Sequence, residues 1–383
     1  MSEPILLAGG GTAGHVNPLL AVADELRRRD PARPITVLGT ASGLEADLVP
    51  TRGYLLALMP RVPMPRRPTA DWLRFPGRLR AAVRAAGSAI DASGAQVVVG
   101  FGGYVSAPAY LAARRRGVPI VVHEANARPG LANRLGARLT RYVGVTFAAT
   151  RLPHAVLTGM PLRQEVVELA DGDREQLRAE ARTRLGLDPE APLLLVTGGS
   201  LGAARLNAAV AAVANELADS GAHVLHLTGR GKADEVRAAL AGTSAAPSHQ
   251  VREYLAEMDQ AYAAADLVLA RSGAATVSEL AALGVPAVFV PLAIGNGEQR
   301  LNAAPVVAAG GALLVTDAEL TPDWLRAHVI PLLHDAERLA AMARAARGVG
   351  VVDGAARVAD LVERALADRA GAVHGATGPG GAR

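Results

Sequence analysis

The sequence predicts two doubly wound α/β domains, each a parallel sheet with helices on both faces. Three observations lead there. Short apolar runs alternate with Ala-, Leu- and Arg-rich segments of helical period, the pattern of βαβ units. The alternation starts again near the midpoint of the 383-residue chain, which is long enough for two separate cores. Each half also opens on a strand running into a glycine-rich turn. In the first half this is Gly9-Gly10-Gly11-Thr12-Ala13-Gly14-His15, and in the second Gly198-Gly199-Ser200-Leu201-Gly202-Ala203.

Taken in order, the apolar runs at 5–10, 35–40, 97–103, 119–126 and 142–147 read as buried strands. Helical periodicity marks 18–29, 79–93 and 107–116 between them. Residues 160–191 are charged and carry Asp188-Pro189 and Ala191-Pro192, so they read as the connection between domains. Strands resume at 193–197, 224–228, 267–271, 287–291 and 313–316, with helices such as 206–217 and 277–283 between them. The tail 371–383 is Gly/Ala-rich without a periodic apolar face, which predicts disorder.

Composition narrows the function. The absence of cysteine excludes a disulfide scaffold, a Cys nucleophile and a thiolate metal site. Half the residues are hydrophobic, which excludes a disordered chain, and the scarcity of aromatics means cores of Ala, Val and Leu. The net charge of +4 hides an asymmetry: residues 1–160 carry 20 basic and 9 acidic side chains, and residues 161–383 carry 20 and 27. A basic first half suits a polyanion, either nucleic acid or an anionic membrane. Between Arg61 and Arg84 there are seven arginines against one acid, Asp71. Arg66, Arg67, Arg74 and Arg78 there are mixed with Trp72, Leu73, Phe75 and Leu79 as apolar anchors, a composition for an anionic membrane surface. The alternative is a solvated basic face; nucleic acid fits less well, because no recognised module for it is present. Met1-Ser2-Glu3-Pro4 leads into an apolar strand without a signal-peptide pattern, and no run approaches the ~20 apolar residues of a membrane span. A cytosolic protein, or one resting on a membrane, is expected.

The motifs sit where such folds bind ligands. Gly9-x-Gly11-x-x-Gly14 has the spacing of a dinucleotide turn, yet strand 35–40 ends without an acid before Glu45 to hold a ribose. The turn then serves either close strand–helix packing or a site, and His15 on the helix that follows favours the site. Gly198-Gly199-Ser200-Leu201-Gly202 lacks a Gly-Lys-Ser/Thr ending but can present amides and a helix N-terminus to a phosphate. Glu279, after Arg271-Ser272-Gly273-Ala274-Ala275-Thr276, is either a charge near a helix start or a carboxylate for two sugar hydroxyls. Glu298-Gln299-Arg300-Leu301-Asn302 follows a strand end, as a ligand site or a solvated loop. His223-x-x-His226 lies on a strand, where positions three apart face opposite ways, so it is no metal pair. Asp173 in Asp171-Gly172-Asp173 is expected to cap a helix with a capping box rather than hold a metal. A metal-independent site without a cofactor is expected.

Six segments in register carry a family resemblance: Gly10–His15, Gly102-Gly103-Tyr104-Val105-Ser106, His123-Glu124-Ala125-Asn126, Gly198-Gly199-Ser200, Arg271–Glu279 and Gln299-x-x-Asn302. Together they closely resemble the MurG family, the bacterial N-acetylglucosaminyltransferases of peptidoglycan synthesis. The resemblance implies a GT-B fold, two Rossmann-like domains facing a deep cleft, with domains at 1–160 and 161–354 and a last helix near 355–370 returning to the first. It implies transfer of GlcNAc from UDP-GlcNAc to lipid I, undecaprenyl-pyrophosphoryl-MurNAc-pentapeptide, with inversion, at the cytoplasmic face of the membrane. By position, Ser200 would meet the diphosphate beside Ala274, Ala275 and Thr276, and Glu279 the ribose. Leu255 (main chain) and Met258 would bound the uracil, and Gln299, Glu298 and Asn302 the GlcNAc hydroxyls. Thr12, Ala13, Gly14, Tyr104, Asn126 and Arg163 would complete the cleft, with His15 as base or acceptor-orienting group. Four positions depart from the family pattern: Ala13 where Gly is frequent, Leu201 where Gln is common, Met160 where Asn is often found, and Glu298 where other members carry different polar residues. A GT-B transferase with another acceptor, a sugar-nucleotide epimerase and a closing-cleft binding protein are the alternatives.

Overall fold

The computed structural model describes residues 2–62, 71–199, 202–292 and 296–376, with backbone alone for Trp72 and 372–376. In chain order the elements begin β1 (Ile5–Ala8), α1 (Ala13–Arg29), β2 (Ile35–Gly39), α2 (Glu45–Thr51), β3 (Leu55–Leu58), α3 (Asp71–Ser93), β4 (Val97–Gly100) and α4 (Gly103–Arg116). They continue β5 (Ile120–Glu124), α5 (Leu131–Gly136), β6 (Tyr142–Val145), β7 (Ala155–Leu157), α6 (Gln164–Asp171), α7 (Arg174–Leu185), β8 (Leu193–Thr197), α8 (Ala204–Ala211) and α9 (Ala214–Asp219). The remainder is β9 (His223–Leu227), α10 (Ala233–Leu240), β10 (His249–Arg252), α11 (Met258–Ala264), β11 (Leu267–Ala270), α12 (Ala274–Leu283) and β12 (Ala287–Phe289). Then come α13 (Glu298–Ala308), β13 (Ala312–Leu314), α14 (Pro322–Leu333), α15 (Ala336–Arg347) and α16 (Gly354–Ala376).

The chain divides into two compact units, Met1–Arg163 with Asp353–Arg383, and Gln164–Val352. In the first, seven parallel strands run in the order β3-β2-β1-β4-β5-β6-β7. Ile5 to Ala8 are fully buried because helices cover both faces, which is why β1 reads as a continuous apolar run rather than an alternation. Ile5 and Leu7 join one core layer with Val16 and Leu19 of α1 and Val358 and Val362 of α16. Leu6 and Ala8 join the opposite layer with Ala82 and Ala86 of α3 and Val105 of α4. Burial of the α16 valines, worth roughly 1.5–3 kcal/mol per side chain, ties this distant segment to α1, with an Arg29–Asp360 ion pair at 2.7 Å at its rim.

The second unit repeats the design with six parallel strands, β10-β9-β8-β11-β12-β13. In both sheets the strand order reverses beside the first strand, between β1 and β4 and between β8 and β11. The glycine turns leave the carboxyl ends of β1 and β8 at those reversals, where open parallel sheets bind ligands.

Several elements differ from expectation. The stretch 160–191 is not a bare connection: α6 and α7 fold onto the second unit. Buried Arg182 donates to the carbonyls of Ala264 at 3.0 Å and of Pro189 and Ala191 at 2.8 Å, and pairs with Asp266 at 2.7 Å. Asp173 caps α7 through the Glu175 and Gln176 amides at 2.9 and 3.1 Å, but the Gln176 side chain turns to Glu180, so the capping box does not close. Helices α1, α3 and α4 start five to eight residues earlier, or four for α4, than the periodicity suggested. Each carries a proline inside, Pro18, Pro76 and Pro108, a residue that marks helix starts in sequence but here only removes one second-turn hydrogen bond. The segment 206–217 is broken near Val213 into α8 and α9. The tail is helical to Ala376, and 377–383 lie outside the described residues.

Candidate active site

At the first reversal, Gly11 (φ +91°) makes a bend that L side chains rarely adopt. Thr12 is extended at the N-cap of α1, and its hydroxyl lies 3.2 Å from His15 Nδ1 on the first helical turn. His15 is part-exposed, and partial burial lowers its pKa below 6.5, opposed by a Gly10 backbone hydrogen bond and the charge of Glu45. It is therefore a neutral imidazole at pH 7 and can accept a proton.

The turn after β4 faces the same crevice. Gly102 (φ +95°) and Gly103 (φ +76°) start α4, and a Cβ on Gly102 would stand 3.2 Å from His15 Nε2. Buried Ser106 holds this turn, accepting from the Gly102 amide at 2.9 Å, with its hydroxyl directed to the Ala8 or Gly102 carbonyl. Tyr104, next in the chain, carries the Arg61 guanidinium 5.1 Å over its ring. Ala13 and Gly14 fill the first turn of α1 between these groups.

Two buried acids that no site assignment included organise the surrounding loops. Glu45 accepts from the Gly11 amide at 2.8 Å and from the Thr40 amide and hydroxyl at 2.9 and 2.8 Å. Glu124, at the end of β5, accepts from the amides of Asn126 at 2.9 Å and Gly130 at 3.0 Å and from Asn133 Nδ2 at 3.0 Å. Burial pushes its pKa up despite these donors. Its task is to shape the loop that carries Asn126, helped by the Tyr110 hydroxyl on Asn133 at 2.8 Å. The His-Glu pair at a strand end was the signal available for Glu124; Glu45 had none beyond being the first acid after β2. Arg163 is the last residue of this unit's first segment and is part-exposed.

At the second reversal, the Gly199 amide donates to the Thr197 hydroxyl at 3.2 Å, and Gly202 (φ +66°) turns the chain into α8. Ser200 and Leu201 lie outside the described residues. The N-cap of α8 is Ala203, which has no side chain to cap the helix, and no acid occupies the first turn. Those amides and the positive end of the helix dipole are available to an anion. Behind them Asn207 donates to Thr228 O at 3.0 Å and accepts from His226 Nε2 at 3.1 Å, while His226 Nδ1 lies 3.1 Å from His249 Nε2. With both rings neutral each of these contacts pairs one donor with one acceptor, while His249 Nδ1 is buried without a partner. Burial pushes the two pKa values down to about 3 and about 4.

The other predicted residues of this unit cluster around β11 and β12. Ala274, Ala275 and Thr276 form the first turn of α12, and Glu279 lies one turn on, almost enclosed. Arg271 reaches the Val290 and Pro291 carbonyls at 3.2 and 3.3 Å and pairs with Asp317 at 2.6 Å, so it staples the end of β12. Glu298 and Gln299 open α13, and Gln299 Oε1 accepts from the Leu292 amide at 2.9 Å. Asn302, on α13, is fully buried, and its Nδ2 donates to Ser272 O at 3.4 Å just before α12. Leu255 is buried just after β10 and Met258 begins α11. Among the described residues no three His, Asp or Glu side chains gather to hold a metal ion.

The basic segment divides. Leu73 is 86% exposed beside exposed Arg74 and Arg78, the latter paired with Asp71 at 3.0 Å. Phe75 and Leu79 are half-buried and pack against the first-unit core. Arg66 and Arg67 lie outside the described residues, as does the side chain of Trp72. No helix among the described residues is long and apolar enough to cross a membrane.

Comparison with known proteins fits this geometry. Residues 5–145 match the glycosyltransferase family 28 N-terminal domain and 193–361 its C-terminal domain. A Leifsonia xyli protein is 58% identical over 362 residues, covering 94% of this chain and 98% of its own length. A Frankia casuarinae protein is 56% identical over 369 residues, covering 96% and 97%. Both are named UDP-N-acetylglucosamine–N-acetylmuramyl-(pentapeptide) pyrophosphoryl-undecaprenol N-acetylglucosamine transferase. The crystal structure of Acinetobacter baumannii MurG superimposes with a TM-score of 0.75 at 28% identity, covering 95% of this chain and 100% of that one. With both domain models matched in order and relatives above half identity over nearly the whole length, the chain belongs to glycosyltransferase family 28, in its MurG branch of GT-B N-acetylglucosamine transferases.

Proposed function

We propose that the protein transfers GlcNAc from UDP-GlcNAc to the 4-hydroxyl of MurNAc in lipid I, with inversion, forming lipid II at the cytoplasmic face of the membrane. The observation that carries the mechanism is the neutral, part-exposed His15 on the first turn of α1, held by Thr12. His15 takes the acceptor hydroxyl proton as the oxygen bonds to the anomeric carbon. The bond from that carbon to the UDP oxygen breaks, and its electron pair leaves with the diphosphate. The loop carrying Ser200 and the uncapped start of α8 meet that charge, without need of a metal.

The donor is read by the second unit: Leu255 and Met258 at the uracil, Glu279 at the ribose, Ala274–Thr276 near the diphosphate, and Glu298 and Gln299 at the GlcNAc hydroxyls. Asn302 supports that set from behind. Thr12, Ala13, Gly14, Tyr104, Asn126 and Arg163 serve the acceptor. Leu73, Arg74 and Arg78, with Arg66, Arg67 and Trp72, rest on anionic lipid. Incubating purified protein with labelled UDP-GlcNAc, with and without lipid I and in the presence of a chelator, tests this. Transfer that requires lipid I and survives chelation is expected; transfer or epimerisation without lipid I would overturn the acceptor, and loss on chelation the metal-free mechanism.

A further inference from the structure

The acid that shapes the first glycine turn belongs to none of the motifs. Glu45, the first residue of α2, is 0% exposed. Its Oε2 accepts from the Gly11 amide at 2.8 Å, and its Oε1 from the Thr40 amide at 2.9 Å and hydroxyl at 2.8 Å. Three glycines make room for it. A Cβ on Gly43 would stand 2.0 Å from Oε2, one on Gly10 2.4 Å from Oε1, and one on Gly39 2.5 Å from Cγ. Burial alone would raise its pKa, but the Gly11 and Thr40 donors outweigh that and hold it below the ordinary carboxylate value. A buried, ionised carboxylate therefore sits inside the turn that leads to His15.

That position has two consequences. The Gly11 amide is committed to Oε2, which sets the backbone just before Thr12 and so the 3.2 Å contact of its hydroxyl with His15 Nδ1. The second is electrostatic. A proton arriving on His15 creates a cation at the positive end of α1, against the helix dipole. Gly102, where a Cβ would touch the His15 ring, also adjoins Asn133 of α5, hydrogen-bonded to Glu124, while Tyr104 of α4, with Arg61 over its ring, adjoins Gly11. Glu45 supplies the negative charge that acts on His15 from α2, and it favours the protonated ring.

We propose that Glu45 is a positioning residue for the transfer: it fixes the Gly11–His15 turn and stabilises the imidazolium formed when the acceptor hydroxyl gives up its proton. The proposal rests on His15 as the base. It also means that one amide of the first glycine turn is closed to a substrate phosphate, because an internal anion already holds it.

The test compares wild type with Glu45→Gln and Glu45→Asp, using the His15 ring proton in NMR titrations (assigned with His15→Gln) and the pH profile of kcat/KM. In Glu45→Gln the His15 resonance and the acidic limb of the profile move to lower pH. There kcat falls about 10²-fold, the scale of a small misplacement of a catalytic group, while KM for UDP-GlcNAc stays within about twofold. Glu45→Asp keeps the charge, so the limb stays in place while kcat falls. A folded Glu45→Gln protein with an unmoved His15 titration overturns the electrostatic role. Should that variant not fold, undiminished kcat in Glu45→Asp overturns the positioning role. Near-normal turnover in His15→Ala would instead defeat the base assignment, and the His15 titration in Glu45→Gln would still show whether Glu45 acts on that ring.

Discussion

The two glycine turns are built from the same parts and are filled differently. Each leaves the carboxyl end of the first strand of its sheet, at the strand-order reversal, and enters a helix. The first is closed around its own anion, since Glu45 takes the Gly11 amide and the next turn presents a neutral imidazole. The second turn has no internal acid at its helix start and no side-chain cap. In the proposed mechanism a buried carboxylate thus separates a turn that organises a base from one that receives an anion. The same fold supplies both, and what fills the turn decides its role.

The largest effect that can break this contrast is expected from His15→Ala. Turnover on soluble lipid I analogues should fall about 10²–10⁴-fold, the usual worth of a general base, with UDP affinity unchanged by calorimetry. Near-normal turnover would remove the base from the first turn and leave the two turns alike.

Next in size is acid sensitivity. In the folded protein His226 titrates at about 3 and His249 at about 4, behind the second turn, and His123, buried at the end of β5, at about 4. The unfolded chain binds these protons near pH 6.5 and the folded chain does not, so stability falls as pH drops from about 6.5, by roughly 1.4 kcal/mol per pH unit per histidine. The fall levels off once pH is below about 4 for His249 and His123 and about 3 for His226. Denaturant melts between pH 7 and 5 should show the loss, and His249→Gln should flatten it; a flat wild-type profile would contradict neutral buried rings.

A smaller effect comes from the backbone. An added methyl at Gly202 would lie 2.0 Å from Thr228 O at a φ of +66°. Gly202→Ala should cost about 2 kcal/mol of local strain and weaken UDP binding about tenfold. Gly10→Ala, crowding Glu45 instead, should lower kcat and spare UDP binding. Equal losses of UDP affinity in both variants would erase the division of labour.

The smallest effect per residue is at the surface. Neutralising Arg66, Arg67, Arg74 and Arg78 should weaken binding to anionic vesicles by about 1 kcal/mol per charge, less for Arg78 because of Asp71, without changing UDP affinity. Unchanged vesicle sedimentation would remove the membrane role of this face.

The sequence was most readable where burial is two-sided. Central strands such as β1, β4 and β8 are covered on both faces and must be apolar throughout, so their runs stood out. The strands that were missed are sheet edges: β3 and β7 bound the first sheet and β10 the second. An edge strand pairs on one side and can be solvated, so Leu55 of β3 is 74% exposed and β10 reads His-Gln-Val-Arg. The site was legible to a similar depth. Positions at strand ends, among them His15, Tyr104, Asn126 and Gln299, were marked by their motifs. The partial burial of Phe75 and Leu79 and the full burial of Asn302 were not, because local pattern does not say which neighbour covers a residue.

By itself the sequence determined two parallel α/β sheets, their glycine turns, and a basic first half, since runs of apolar residues and bends that need glycine are written locally. Only the tertiary structure decided which acids lie inside. Glu45 looks like a surface residue in a one-dimensional reading, and the place of Glu124 at the end of a buried strand does not say what surrounds it. Their enclosure depends on donors and gaps that the chain brings from elsewhere: the Gly11 and Thr40 amides and the missing side chains of Gly10, Gly39 and Gly43 for one, Gly130 and Asn133 for the other. A carboxylate stays ionised in a protein interior when several hydrogen-bond donors converge on it, and that convergence exists only once the chain has folded.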